Sequence, residues 1–155
     1  MIRRDYLQRQ IDQLGRAMGV MVSKLLGIKS QGKTQEMVEM INQFIKQELE
    51  LDLSELIRLD DDAFFHFLLK EKGLKDYHLE YLSEMLYNLG QEHELNDQPE
   101  LATPYYQKAL ILFEHIENHS PTFDLIRSNK ITDLKKAVPY KSQQTERQQV
   151  TSIKI

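Results

Sequence analysis

Apolar residues recur at alternating three- and four-residue steps through the first part of the chain. They are Leu7, Ile11, Leu14, Met18, Met21 and Leu25. Because an α-helix completes a turn about every 3.6 residues, this spacing places all of them on one face. The pattern therefore predicts one long helix from about residue 3 to residue 26, with a basic opposite face.

A second periodic run predicts a helix that begins near Thr34. Its apolar face comprises Met37, Met40, Ile41, Phe44, Ile45 and Leu49. Residues 51–59 indicate a short helix or a turn, and residues 60–73 a further short helix. Asp60, Asp61 and Asp62 stand at the start of that helix, where negative charge is favourable, so we expect them to cap it rather than to bind a cation.

Three more helices are predicted in the remainder. They run from Asp76 to Glu94, onward from Pro99, and over residues 122–137. Their apolar faces comprise Leu79, Leu82, Leu86 and Leu89, then Leu101, Tyr105, Leu112 and Ile116, and finally Phe123, Leu125, Ile126, Ile131 and Leu134. Residues 139–155 are polar and lack a sustained period, so we expect a mobile tail. The sequence thus predicts a single all-α domain over residues 1–138, with about six helices in antiparallel hairpins.

Composition agrees with a globular, cytoplasmic protein. The chain has 155 residues, of which 41% are apolar and 28% charged, which is enough for one domain and its core. No apolar run approaches the roughly 20 residues that a membrane span needs, and the N-terminal residues do not resemble a signal peptide. With no cysteine, disulfides and thiolate metal sites are excluded.

Charge is divided along the chain. The net charge is +5 over residues 1–33, −14 over residues 34–126 and +5 over residues 127–155. An acidic centre repels phosphate groups, so we expect no nucleic-acid binding. The basic ends are instead expected to pack on the acidic middle, either within one chain or between neighbouring chains.

Residues 83–116 resemble one tetratricopeptide repeat, a unit of two helices. The positions that carry the resemblance are Leu86, Leu89, Gly90, His93, Ala102, Tyr106 and Ala109. Leu86 stands where the family has Trp, His93 replaces a Tyr, and Glu114 stands where a late Pro is expected. The resemblance implies a helical hairpin in which small residues let the two helices approach closely.

The same resemblance implies a peptide-binding surface on the first helix of the hairpin. Its solvent-facing positions would be Glu84, Tyr87, Gln91 and Glu94. Because this surface lacks the Lys and Asn with which relatives clamp a peptide carboxylate, we expect a basic or apolar peptide there. The whole chain, with its "RDYLQRQIDQLGRAMG" and "LLGIKSQGKTQEM" stretches, is similar to an uncharacterised bacterial family of short helical proteins. That similarity implies a fold and no activity.

The stretch "GIKSQGKT", Gly27 to Thr34, matches the phosphate-loop pattern G-x-x-x-x-G-K-[ST]. A phosphate loop follows a buried strand, and the only candidate strand, "GVMV" at residues 19–22, lies within the predicted first helix. We therefore predict a Gly-containing turn between two helices. A nucleotide-binding protein or enzyme that uses Gly32, Lys33 and Thr34 is the alternative.

The histidines do not form a recognisable catalytic or metal site. His115 and His119 lie one helical turn apart, but the Glu that directly follows the first His in zinc proteases is missing. His66 has no nucleophile or acid that can be assigned to it. We therefore predict no catalytic residue, metal or cofactor, and a non-enzymatic protein–protein interaction role.

Gly15 and Gly19 lie four residues apart inside the first predicted helix. Each interior Gly costs about 1 kcal/mol relative to Ala, so a compensating interaction is expected. Glycine permits close approach of a second helix, either from the same chain or from a second copy. The basic first helix could lie along the acidic middle of a neighbour, and this favours a homodimer through Gly15 and Gly19.

Overall fold

The computed structural model describes residues 2–138. Its helices are α1 (Ile2–Ser30), α2 (Thr34–Leu49), α3 (Leu53–Arg58), α4 (Asp61–Phe65), which continues as a π-helical turn (His66–Glu71), α5 (Asp76–Leu95), α6 (Pro99–His119) and α7 (Leu125–Ala137). No strand occurs within residues 2–138, which confirms the all-α prediction. The ambiguous stretch 51–59 contains α3, so these residues form seven α-helices. The predicted tail, residues 139–155, lies outside the described residues.

Helix α5 occupies the centre of the fold. It packs against α6, α1 and α2, and it buries residues on several faces rather than on one stripe. The four leucines predicted to form its apolar face, Leu79, Leu82, Leu86 and Leu89, are fully buried. This central position makes α5 the helix on which the other elements are arranged.

Helices α5 and α6 make the most extensive contact among the described helices. They are connected by three residues, 96–98, of which Asp97 adopts a left-handed conformation with a φ of 58°. The ring of Tyr106 lies directly on the backbone of α5 at Gly90, where an added Cβ would be only 2.6 Å from Tyr106 Cδ1. Because the Tyr106 ring is itself buried, this contact fixes the separation of the two helices.

Helix α1 runs in the same direction as α5. Near the start of α5, His78 Nδ1 accepts a hydrogen bond from the Lys75 amide, so its Nε2 donates to the Ile11 carbonyl at 2.8 Å. Near the end of α5, Lys29 Nζ donates to Gln91 Oε1 at 2.5 Å. The antiparallel arrangement predicted for neighbouring helices therefore does not extend to this pair, whose members are far apart in sequence.

The first turns of α1 contribute exposed residues only, although Leu7 and Gln10 border a cavity shared with the ends of α2 and of the π-helical turn. All residues from Arg3 to Gln10 are exposed, including Tyr6 at 58% and Leu7 at 49%. The predicted apolar face is fully buried at Met18 and nearly so at Leu25. Leu7 therefore belongs to the periodic pattern but not to the core.

The C-terminal helix α7 packs through charged contacts as well as apolar ones. Arg127 is buried, with its Nε donating to Glu117 Oε2 at 2.7 Å and its second guanidinium nitrogen 3.6 Å from Glu80. Lys130 forms an ion pair with Glu84 on α5. The described part of the basic C-terminal segment, residues 127–138, thus packs on the acidic middle of its own chain, one of the two arrangements that the charge pattern predicts.

Three apolar residues at the start of α7 are exposed, although the sequence pattern places them in the core. The exposed fractions of Phe123, Leu125 and Ile126 are 72%, 63% and 69%. The residues of α7 that face the core are Arg127, Ile131 and Leu134, spaced four and three apart. Because successive helical residues are separated by about 100°, positions 125 and 126 point away from that buried face.

Candidate functional site

The turn that matches the phosphate-loop pattern ends helix α1. Gly32 adopts a left-handed φ of 72°, its amide donates to the Lys29 carbonyl at 3.2 Å, and the Lys33 amide donates to the Ile28 carbonyl at 3.3 Å. This is the Schellman arrangement of a helix C-terminus, which favours Gly at the left-handed position. The amides that a phosphate loop would offer to a nucleotide are therefore hydrogen-bonded to the last carbonyls of α1.

The stretch that would have to be a strand before a phosphate loop is helical. Residues 19–22 lie in the middle of α1, which continues to Ser30. The predicted interhelical turn is therefore confirmed as local structure. Nucleotide binding by Gly32, Lys33 and Thr34 is a separate question that this geometry does not favour.

The rings of the two histidines of α6 contact each other, and one of them is hydrogen-bonded to the backbone. Their rings are 4.2 Å apart, and His119 Nδ1 donates to the His115 carbonyl at 2.6 Å. Burial, together with the charge of His119, lowers the pKa of His115. Within the described residues, no group of three or more His, Asp or Glu side chains is arranged to hold a metal. Asp60 caps α4 as predicted, since its Oδ1 accepts from the Ala63 amide at 2.8 Å.

A groove of about 860 Å³ lies between α1 and α5. We call it the α1/α5 groove. Its lining residues are Asp12, Gly15, Arg16, Gly19, Val20, Ser23 and Lys24 from α1, with Tyr77 and Tyr81 from α5. Because the α1 residues recur over three turns of one helix face, the groove is elongated along α1.

Gly15 and Gly19 form the floor of this groove beneath two tyrosine rings. A Cβ added at Gly15 would clash with the ring of Tyr77 and lie 3.1 Å from its Cζ, and one added at Gly19 would lie 3.2 Å from the hydroxyl oxygen of Tyr81. The close approach that these glycines permit is therefore used within the chain, against α5. Self-association through them stays a prediction.

The walls of the groove combine apolar surface with charge. Val20 is 54% exposed and Tyr77 is 43% exposed, so both offer apolar surface to a partner. Arg16 and Lys24 are exposed along the α1 side. Partial burial raises the pKa of Tyr77, and Asp12 raises it further, so the Tyr77 hydroxyl stays protonated at neutral pH.

The surface predicted from the repeat resemblance is partly covered by other parts of the chain. Glu84 and Gln91 accept hydrogen bonds from lysines of α7 and α1 respectively. Tyr87 is half-buried, and Glu94 is exposed but accepts a hydrogen bond from the Tyr106 hydroxyl. These four residues lie along one helix as expected, but at least two of them are occupied by basic groups of the protein itself.

The sequence contains a signal for the α1/α5 groove that is separate from its apolar periodicity. Two glycines four residues apart on α1 are matched by two tyrosines four residues apart on α5, Tyr77 and Tyr81. Both pairs are spaced to lie on one helix face. What the sequence alone lacked was the side-by-side placement of α1 and α5.

Comparisons with known proteins add no relative. No protein-family model, no curated protein and no solved structure matches this chain. Among the helices of residues 2–138, none is both long enough and apolar enough to cross a membrane. Arguments about function therefore depend on the geometry of the site.

Proposed function

We propose that this protein is a non-enzymatic protein-interaction module and that the α1/α5 groove is its binding surface. The observation that carries the proposal is the aromatic and apolar lining of that groove, with Val20 and Tyr77 both about half exposed. Tyrosines on a rigid helical support, flanked by charged residues, are typical of the surfaces through which proteins bind one another.

The proposal treats α5 and α6 as a unit like a tetratricopeptide repeat that supports the groove. Gly90 and Tyr106, two residues that carry the resemblance, are in direct contact across these helices. Ala102, a third, is buried on α6. The rigid packing of α5 on α6 would hold Tyr77 and Tyr81 in place, and a preorganised surface loses less entropy on binding.

The test compares two exposed apolar residues on different parts of the surface. Val20→Asp places a charge in the α1/α5 groove, whereas Leu101→Asp makes a matched change at the start of α6, where Leu101 is 45% exposed. We expect proteins captured from native cells by wild type to be retained by Leu101→Asp and lost from Val20→Asp. With purified partner, Val20→Asp should raise Kd at least about tenfold, since the apolar contact of Val20 is lost and a carboxylate must be desolvated on binding. Equal binding by both variants would contradict the proposal.

A second candidate function is self-association through the start of α1. The observation that favours it is the exposure of every residue from Arg3 to Gln10, which includes Tyr6 and Leu7. In this proposal the exposed basic turns of one copy lie along the acidic middle of another. This contact does not involve Gly15 and Gly19, which lie beneath tyrosines of α5.

Analytical ultracentrifugation checks self-association. We expect a dimer at tens of micromolar protein in low salt, with weaker association in high salt because surface charges are screened. Tyr6→Glu combined with Leu7→Glu should give a monomer, whereas Leu26→Glu, at a comparably exposed position of the same helix, should not. A wild-type protein that sediments as a monomer in low salt rules this candidate out.

Nucleotide binding stays the alternative function. It would require the amides of Gly32 and Lys33 to leave the carbonyls of α1 and turn toward a phosphate. Titration calorimetry with ATP and Mg²⁺ would detect it directly.

A further inference from the structure

We infer that the partner segment that occupies the α1/α5 groove is an acidic amphipathic helix from a different protein. This inference rests on the proposed function, because it names the occupant of the same groove. It is carried by three properties of the groove: its length, its lining and its charge.

The length of the groove suits a helix. Its α1 side extends from Asp12 to Lys24, which is about 18 Å at a rise of 1.5 Å per residue. On the α5 side, Tyr77 and Tyr81 are one turn apart. An open channel of this length accommodates about three turns of a helix that lies alongside α1, which is the way in which amphipathic helices bind grooves.

The lining of the groove suits the apolar face of such a helix. Val20 and the exposed part of the Tyr77 ring offer apolar area, and the rings of Tyr77 and Tyr81, which lie over Gly15 and Gly19, also border the groove. Because Tyr81 lies over Gly19 and Tyr77 over Gly15, an apolar side chain of the partner beside Val20 would contact Tyr81, and its neighbour one turn away would contact Tyr77. Tyrosine supplies large contact area at a small cost in conformational entropy.

The charge of the groove favours an acidic occupant. Arg16 and Lys24 both border it, against the single carboxylate of Asp12. Neither cation forms an ion pair with another part of the chain within residues 2–138. The two cations are eight residues apart on α1, or about 12 Å. Carboxylates two turns apart on a neighbouring helix would therefore meet both.

Neither the start of α1 nor helix α2 of a second copy offers a matching segment. The exposed start of α1 is basic, so it would be repelled by Arg16 and Lys24. Helix α2 has an acidic outer face, but its apolar residues Met37, Ile41 and Ile45 are fully buried in the core. The occupant is thus a helix from another protein. It also differs from the basic or apolar peptide expected at Glu84 to Glu94, because that surface carries the opposite charge.

The test is selection from a phage-displayed library of amphipathic helices about five turns long, in which the polar positions are randomised. We expect the enriched peptides to carry net negative charge. Synthetic versions should bind at least about tenfold more weakly to a variant that combines Arg16→Glu with Lys24→Glu, since two ion pairs become repulsive. The matched control combines Arg58→Glu with Lys136→Glu, two exposed positions outside the groove lining, and should leave Kd unchanged.

The outcomes separate this inference from the proposed function. If enriched peptides are neutral or basic but are lost from Val20→Asp, the groove binds partners and the acidic-helix inference is overturned. If enriched peptides bind Val20→Asp as well as wild type, both are overturned. Failure to enrich any peptide also overturns the inference. The proposed function would still stand in that case if wild type captures a native partner that Val20→Asp does not. Circular dichroism of each variant checks that helicity is retained.

Discussion

Replacing Arg127 with Met is expected to destabilise the fold by about 2–3 kcal/mol. Only 6% of the Arg127 side chain is exposed, and its guanidinium lies between the carboxylates of Glu117 and Glu80, at 2.7 and 3.6 Å. Met fills a similar volume but leaves two negative charges facing each other across the contact between α5, α6 and α7. Because these carboxylates are 29% and 41% exposed, water offsets part of the loss. The effect therefore falls below that of a fully buried pair.

Urea denaturation of three variants tests this account. Arg58→Met, a matched change at an exposed arginine on α3, should shift the free energy of unfolding by less than about 0.5 kcal/mol. Adding Glu80→Gln and Glu117→Gln to Arg127→Met should recover part of the loss, because the unpaired charges are removed. If Arg127→Met is no less stable than Arg58→Met, the guanidinium does not hold α7 in place. The hydrogen bond to Glu117 also raises the pKa of Arg127, so this cation is charged throughout the accessible pH range.

Periodicity was sufficient to locate the helices because apolar residues recur along them at the helical spacing, although α5 is buried on several faces and part of the pattern in α7 is exposed. Most of the predicted buried positions in α2 and α5, such as Ile41 and Leu86, are fully buried, whereas Met40 is only partly buried. Periodicity does not identify which helix covers a given stripe, since that depends on contacts distant in sequence. For this reason the parallel contact of α1 with α5, and hence the groove, could not be predicted from spacing alone.

Charged residues in the core were the other feature that the sequence did not reveal. Lys and Arg are almost always exposed, and nothing local distinguishes Arg127 or Lys108 from surface cations. Lys108 is buried because its Nζ donates to the Leu59 carbonyl at 2.5 Å and lies 3.1 Å from Asp61, which ties α6 to the segment between α3 and α4. The buried position of Lys108 therefore follows from tertiary packing. So does the exposure of Phe123, which precedes α7, because α7 packs on the core through other positions.

The turn at Gly32 matches a sequence motif but does not have the local structure in which that motif binds phosphate. The pattern G-x-x-x-x-G-K-[ST] encodes a left-handed glycine followed by a helix start, and both are present. In this chain the glycine ends a helix rather than a strand, and its amide and that of Lys33 are hydrogen-bonded to α1. The chain therefore matches the motif because Gly is favoured at a left-handed position, and here that position ends a helix.

Alanine at Gly90 and alanine at Gly27 are expected to change stability in opposite directions, although both glycines lie inside helices. At Gly27 an added Cβ meets no described heavy atom within 4 Å apart from its chain neighbours and its own helix backbone, so Gly27→Ala should stabilise the protein by up to about 1 kcal/mol through helix propensity. At Gly90 the added Cβ would press on the Tyr106 ring. That ring is 4% exposed, and its hydroxyl is bonded to Glu94, so it has little room to move. Overpacking of this kind costs about 1–3 kcal/mol and should exceed the gain in propensity.

The Tyr106→Leu background supplies the decisive comparison, since it removes the ring that meets position 90. There Gly90→Ala should cost less than in the wild-type background or become stabilising, and the difference between the two backgrounds measures the coupling of Gly90 to Tyr106. Thermal and urea unfolding of the four proteins in this cycle, with Gly27→Ala as the propensity control, gives each free energy. A Gly90→Ala variant as stable as Gly27→Ala would show that the close approach of α5 and α6 does not depend on this glycine. The part of the repeat resemblance that rests on Gly90 would then lose its physical basis.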